Sequence, residues 1–344
     1  MFANGVLKGL RNVPHIGVDV AGQAVELGHH HLPGRKIDAA DAQRHASTQV
    51  RDAAVEWPTM ALWLAVVGSW VLVLATARHV PVWLHFVALT LLATWYMSLQ
   101  HELLHGHPTR LDWVNRLLGL LPIALWYPYD LYKAHHLAHH QDHHLTEPGV
   151  DPESNYRHAV HLRPRWKLAL ITSQRTVAGR LLLGPGLTVV HLAADLARAI
   201  RRADARRLWV WAQHLALAGA LLAAVEYATA VSAWEYAATS YLGMSLAMLR
   251  SLYEHRPAAL PAHRIVINEA ALPWRLLYLN NNYHAVHHTH PALPWYRIPG
   301  HYRADRAGYL ARNGSFLLPG YVWLLRHHGW RPIDSPFYSP KETP

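Results

Sequence analysis

Cysteine is absent from the 344-residue chain. That excludes disulfides, thiolate-held iron–sulfur clusters, cysteine-based zinc sites and cysteine nucleophiles within it. Any metal must be held by imidazole, carboxylate or water. Charge is scarce as well. Asp, Glu, Lys and Arg make up 16% of the residues, against about 25% in soluble globular chains. Phenylalanine is nearly missing, with 4 copies beside 15 Trp and 16 Tyr. Aromatic rings with one polar end suit a boundary between lipid and water. The start of the chain lacks the charged stretch, apolar core and small-residue cleavage site of a signal peptide, so none is expected. No nucleic-acid motif is found, and no basic stripe interleaved with aromatics. The formal charge of +10 therefore points to anionic lipid or an acidic protein partner, not to nucleic acid.

What the chain does have is long uncharged runs. Trp57–Ala77 contains no Asp, Glu, Lys or Arg, and neither does Val82–Gln100. About 20 such residues cross a bilayer as a helix, and the short Arg78–Pro81 connection makes the two a hairpin. A second pair is expected over Leu208–Val225 and about Tyr227–Leu249, with its turn between Glu226 and Glu235. Two shorter apolar segments, Leu117–Tyr129 and Leu181–Leu196, are read as re-entrant or interfacial. If both hairpins open the same way, 31 of the 32 Lys and Arg fall on one side and 1 on the other. The positive-inside rule puts that basic side, with both termini, in the cytoplasm.

The expected fold is thus an all-α integral membrane protein of about four transmembrane helices in two hairpins, with interfacial helices and a cytoplasmic cap. Residues 1–55 form a cytoplasmic lead-in with a histidine patch at His29, His30 and His31. Residues 56–300 form the membrane domain, and 301–344 a cytoplasmic C-terminal segment.

Histidine is the excess residue, with 29 copies, and three clusters stand near span ends on the basic side. His101-Glu-Leu-Leu-His105 puts two imidazoles one turn apart on one helix face. His136-Leu-Ala-His139-His140 and His284-Ala-Val-His287-His288 each present three, able to converge on one metal or two. Eight imidazoles exceed one tetrahedral zinc and suffice for two metals with open positions. His255, just after the fourth span, is a candidate ninth ligand. His107, His135, His143, His144 and His290 lie beside the clusters but off the spacing. Glu102, Asp142, Asp151, Glu153 and Glu254 are candidate acceptors for the second imidazole nitrogen of a ligand. Asn280, Asn281 and Asn282 are expected near the third cluster, as hydrogen-bond partners or a turn. Pro294-Trp295-Tyr296 suits a channel wall or an interfacial anchor.

The order and spacing of these clusters around four spans resemble the membrane fatty-acid desaturase superfamily, which includes acyl and alkane hydroxylases and carotenoid ketolases. The strings HELLHGHPTR, HHLAHHQDHHLTEPGVDPES and NNNYHAVHHTHPALPWYRIP carry the resemblance, which covers roughly residues 55–300. It implies a di-iron centre ligated by His101, His105, His136, His139, His140, His284, His287 and His288. His255 matches the extra histidine of related desaturases. Ser251 stands where some of them have an Asn one turn earlier.

The implied activity is iron- and oxygen-dependent oxidation of a fatty-acyl or related aliphatic chain, with desaturation ahead of hydroxylation or a carotenoid-type oxygenation. Dioxygen is then a co-substrate. Two reducing equivalents are needed, and the chain has neither cysteine nor a Gly-x-Gly-x-x-Gly fingerprint to collect them. A separate donor is expected, such as a ferredoxin or rubredoxin with its reductase, in a bacterial-type inner membrane. A histidine-rich metal transporter is the distant alternative, disfavoured because transporters place their ligands within the spans. A metal-dependent membrane hydrolase would need more carboxylates and a phosphate-binding motif.

Overall fold

The computed structural model describes residues 55–141, 143–158 and 165–340. The histidine patch at His29–His31 and the candidate acceptor Asp142 lie outside them. Nearly all the regular structure is helical. Helix α1 spans Trp57–Thr76 and α2 Val82–Leu104, joined through a 3-10 turn at Ala77–His79. Pro58 lies in the first turn of α1, where its missing N–H costs nothing. After a short α3, Asp112–Gly119, comes α4, Tyr129–Gln141. Then follow α5 (Arg165–Ser173), α6 (Val177–Arg201), α7 (Ala205–Ala228) and α8 (Ala233–Arg250). The remainder forms a cap of short helices. They are α9 (Leu272–Leu277), α10 (His284–Thr289), α11 (Ile298–Ala304), α12 (Arg306–Arg312) and α13 (Tyr321–His328). A two-residue parallel pair, β1 (Ile267–Asn268) with β2 (Leu317–Leu318), ties the cap's two halves together.

Among the described residues, four helices are long and apolar enough to cross a membrane: Trp57–His79, Val82–Leu104, Val177–Arg201 and Ala205–Ala228. The number agrees with the sequence expectation, but the identity of one does not. The segment expected as short and interfacial, Leu181–Leu196, lies inside the 25-residue α6. The expected fourth span is the 18-residue α8, which begins at Ala233 and not near Tyr227. Its turn from α7 falls at Thr229–Ser232, inside the expected window. Ser232 caps α8 by accepting from the Glu235 N–H, half of an S-x-x-E capping box.

The contacts explain the discrepancy. Helix α8 runs parallel to α2 along its length. His85 meets Glu235 at 2.6 Å at one end, and Arg250 reaches His101 at 3.3 Å at the other. Between them the backbones approach closely. A Cβ on Gly243 would stand 2.7 Å from Ala93 Cβ, and Thr94 Oγ1 donates to the Gly243 carbonyl. Such small-residue seams suit helix packing in lipid. The polar residues that lower the apolar content of α8, including Thr239, Ser240 and Ser245, are buried against protein. Both ends of α6, by contrast, sit at the histidine end of the bundle. Its first turns accept from Ser245 and Tyr241 in the second half of α8, through the Leu181 and Leu182 carbonyls. Its last turns present Asp195 to Trp211 and Arg207 at the start of α7. Helix α6 thus packs on α8 through its first half and on the start of α7 through its last turns.

Exposed aromatics mark two levels. Trp57 and Trp209 stand at the histidine ends of α1 and α7, and Trp83, Tyr227 and Trp234 at the opposite ends. Eighteen residues separate Trp209 from Tyr227, about 27 Å of helix and close to a hydrocarbon core of about 30 Å.

Between α3 and α4 the chain dips into the bundle as an irregular segment, residues 120–128. Ile123, Ala124 and Leu125 are buried with Trp70, Leu89, Tyr96 and Val225. Irregular backbone at that depth persists only if its polar groups find protein partners. Side chains of the surrounding helices provide them. Trp63 and Tyr96 donate to the Leu118 carbonyl, Gln100 to Gly119, Tyr236 to Ile123 and His214 to Leu125. The re-entrant reading of Leu117–Tyr129 matches this geometry.

Candidate metal centre

Helix ends and short cap elements bring all nine candidate histidines together. His101 lies in the last turn of α2 and His105 caps its C-terminus. His136, His139 and His140 lie on α4, and His284, His287 and His288 on α10. The approach to α10 uses left-handed backbone at Leu279 (φ 48°) and Asn280 (φ 57°), a conformation asparagine tolerates better than most residues. Asn280 donates to the Trp295 carbonyl and Asn282 to the Asn268 carbonyl, which fixes the turn. His255 follows the 3-10 turn Ser251–Tyr253 after α8. It is held in a backbone bridge with Ile265.

The nine sort into two groups, His101, His105, His136, His140 and His287 in one and His139, His255, His284 and His288 in the other. Within each group the ligating atoms all lie within 4.8 Å of one another. In the first, Nε2 atoms follow one another at 3.0–3.2 Å from His101 through His287, His140 and His136 to His105. In the second, those of His139, His255, His284 and His288 do so at 3.0–3.1 Å. The groups abut, with the His140 and His288 rings stacked at 4.2 Å between centroids.

Each group can therefore converge on a single ion, five imidazoles on one and four on the other.

The opposite ring nitrogens face supporting groups. His139 Nδ1 lies 2.8 Å from Asp151 and His136 Nδ1 2.9 Å from Glu153. Asp151 is held in turn by the Thr146 and Glu153 N–H groups. Glu254 Oε1 stands 3.6 Å from His284 Nδ1 and 3.4 Å from Arg250. Asn281 touches one ligand of each group, His101 Nδ1 through its amide nitrogen at 3.0 Å and His284 Nδ1 through its oxygen at 3.1 Å. Of the candidate acceptors, Glu102 accepts from the Trp295 N–H, which anchors the Pro294–Tyr296 segment beside α2.

Burial, reinforced by the crowding of like rings, holds the imidazoles of His140, His255, His284, His287 and His288 well below their usual pKa. They stay neutral, with lone pairs free for a metal. Burial acts the same way on His139, but Glu153 and Asp151 outweigh it and raise that ring to about 9. Burial also pushes Glu254 up, against the pull of Arg250.

The off-spacing histidines belong to neither group. His107 pairs with Glu56, His135 with the Tyr127 hydroxyl and His144 with Glu147, while His290 packs on His301. His143 is exposed. Ser251 donates to the Met248 carbonyl and accepts from Arg180, so it does not stand in for a polar ligand.

The sequence reading had no signal for Arg250, nor for a network that reaches His255 from the C-terminal tail. In that network Tyr156, Arg175 and Asp334 meet across 178 residues of sequence.

Comparison with known families gives one finding of weight. The sequence model of the family described as fatty acid desaturase matches residues 78–318, which include all nine histidines. A search of curated proteins gives no match.

Proposed function

The chain belongs to the fatty acid desaturase family, and from that premise we propose that it desaturates a fatty-acyl or related aliphatic chain with dioxygen at a two-iron centre. The observation that carries the proposal is the pair of abutting imidazole groups with Nε2 spacings of 3.0–3.2 Å. His101, His105, His136, His140 and His287 would hold one ion, and His139, His255, His284 and His288 the other. Two irons so held supply the oxidant that removes hydrogen from an unactivated C–H bond.

The protein's own part is binding, orientation and exclusion of water. The neutral buried rings present lone pairs, and Asp151 and Glu153 orient two of them. Arg250, Glu254 and Asn281 line the groups with polar contacts, and Ile123, Ala124 and Leu125 of the re-entrant segment are buried in the bundle. Hydroxylation of the same chain is the second reading, because both reactions begin at the same C–H bond.

Desaturation takes one dioxygen, two electrons and two protons, and yields the alkene and two waters. With no cysteine in the chain, the electrons come from a separate carrier such as a ferredoxin or rubredoxin with its reductase. Among the described residues, Arg78 is the only Lys or Arg in the two connections at the far end of the bundle. That bias supports a histidine end on the cytoplasmic side, as in a bacterial-type inner membrane, where an acidic carrier would meet a basic surface.

The test is expression in a host membrane, with lipids and bound metal compared against a His139→Ala control. The expected result is an unsaturated product in the wild type alone, with about two irons per chain. A hydroxylated product would favour the second reading. Active protein holding zinc and no iron would overturn the di-iron assignment.

A further inference from the structure

Residues 332–338 of the C-terminal tail lie against the loop that serves the histidines. The Ile333 N–H donates to the Arg175 carbonyl, the Arg157 N–H to Pro336 and the Tyr338 N–H to Arg157. At the centre of this seam sits Arg175, 1% exposed and among the largest fully buried side chains. A buried guanidinium needs a counter-charge and acceptors. Asp334 provides the charge, at 2.6 Å from Nε. The Tyr156 hydroxyl accepts from Nη2 at 2.8 Å, and the Leu252 carbonyl accepts from Nη1 at 3.4 Å. The guanidinium also covers the Tyr156 ring at 4.6 Å from its centroid.

The Tyr156 hydroxyl stands at the junction, 2.6 Å from Asp334 Oδ2 and 3.1 Å from the His255 carbonyl. Its single proton is shared between these two acceptors. Both ends of the segment Leu252–His255 are therefore gripped, at the Leu252 carbonyl by Arg175 and at the His255 carbonyl by Tyr156. His255 differs from the other candidate ligands in standing on irregular chain, outside any helix or helix cap.

We propose that Asp334, acting through Arg175 and Tyr156, is a positioning residue that sets His255 and thereby completes the four-histidine group. The inference rests on the metal-centre reading above. The tail is a buttress for one metal position and not the other.

The experiment measures metal per chain in Tyr156→Phe and Asp334→Asn, each alone and combined with His284→Ala or His287→Ala. Tyr156→Phe keeps the ring and removes only the hydroxyl, so it remains informative if Asp334→Asn leaves Arg175 too poorly compensated to fold. Wild type is expected to hold two metals. Each network variant should lose one under a chelator challenge that leaves the wild type loaded. Added to His284→Ala, which already lacks the four-histidine position, it should remove nothing further. Added to His287→Ala, it should bring the content to near zero. Two metals retained in both network variants would overturn the positioning role, and so would equal loss from both positions. A wild type unable to hold two metals would overturn the metal-centre reading itself.

Discussion

The two histidine groups share helices α4 and α10 yet are not copies of each other. In the five-membered group every ligand stands on a helix or caps one. The four-membered group borrows His255 from irregular chain. Helical phase explains how the shared helices divide their rings. Successive residues turn by about 100°, so i+4 lies about 40° past i, while i+3 lies about 60° short of it. His136 and His140 accordingly serve one group, and His139, between them in sequence, serves the other. On α10 the division repeats in reverse, with His284 and His288 on the four-membered side and His287 on the five-membered side. An H-x-x-H-H motif is therefore a splitter, giving two rings to one position and one to its neighbour. Two splitters facing each other place two metals side by side.

The sharpest way to break this comparison is to remove one ring from each group. His287→Ala and His284→Ala should each leave about one metal per chain and reduce product formation to background. The expected loss exceeds the 10–100-fold typical of a missing supporting group by a wide margin, about 1000-fold or more. Metal analysis and lipid profiling of the two variants check it. If either variant lost both metals together, the groups would be one cooperative site and the division above would fail.

A smaller contrast should separate the supporting carboxylates. Asp151 is fully buried, with a side chain 1% exposed, and the Glu153 side chain is 33% exposed. Asp151 also holds two backbone N–H groups that shape the loop. Asp151→Asn should weaken the four-histidine position by close to about 100-fold, and Glu153→Gln the five-histidine position by nearer about 10-fold. Competition against a graded series of chelators measures both. Equal effects would mean that burial of the partner does not set its worth here.

How much of this was legible beforehand follows from which interactions are local. Within each motif the ligand spacing is set by neighbouring residues, so eight candidate histidines could be named from spacing, and His255 from its place after the expected fourth span. Their division between two groups follows from helical phase, yet the sequence reading, which expected two metals, did not assign the ligands between them. Helix α8 was legible as a helix, but its start was misplaced, and it is not among the four helices long and apolar enough to cross a membrane. The true turn depends on Ser232 and Glu235 capping it and on His85 holding Glu235 from another helix. The packing of α6 was hidden for the same reason. Composition permits it to cross, and its contacts with α7 and α8 join residues far apart in sequence. Least legible was the link from Asp334 to His255, since nothing within a local window couples a tail aspartate to a ligand 79 positions earlier.

The finest contrast concerns Asn281, whose side chain hydrogen-bonds a ligand of each group. Its amide has a single oxygen, and two imidazole Nδ1 positions face it. As the geometry stands, the oxygen meets His284 and the nitrogen donates to His101. Arg250 also directs a donor at His101 Nδ1, from 3.3 Å. Ligation through Nε2 puts the proton of each ring on Nδ1. His101 Nδ1 would then be a donor facing two donors, an arrangement that metal binding must relieve. A turn of the amide relieves it at Asn281, placing the oxygen at His101, and His284 then donates to Glu254, whose Oε1 has no other hydrogen bond among the described residues. Asn281→Ala should therefore weaken the five-histidine position by about 3–10-fold, the worth of one hydrogen bond of about 0.5–1.5 kcal/mol, and leave the four-histidine position nearly unchanged. Metal titration in the His284→Ala and His287→Ala backgrounds reads the two positions separately. Loss confined to the four-histidine position would mean that the amide keeps its oxygen on His284 and that His101 ligates without a proton on Nδ1.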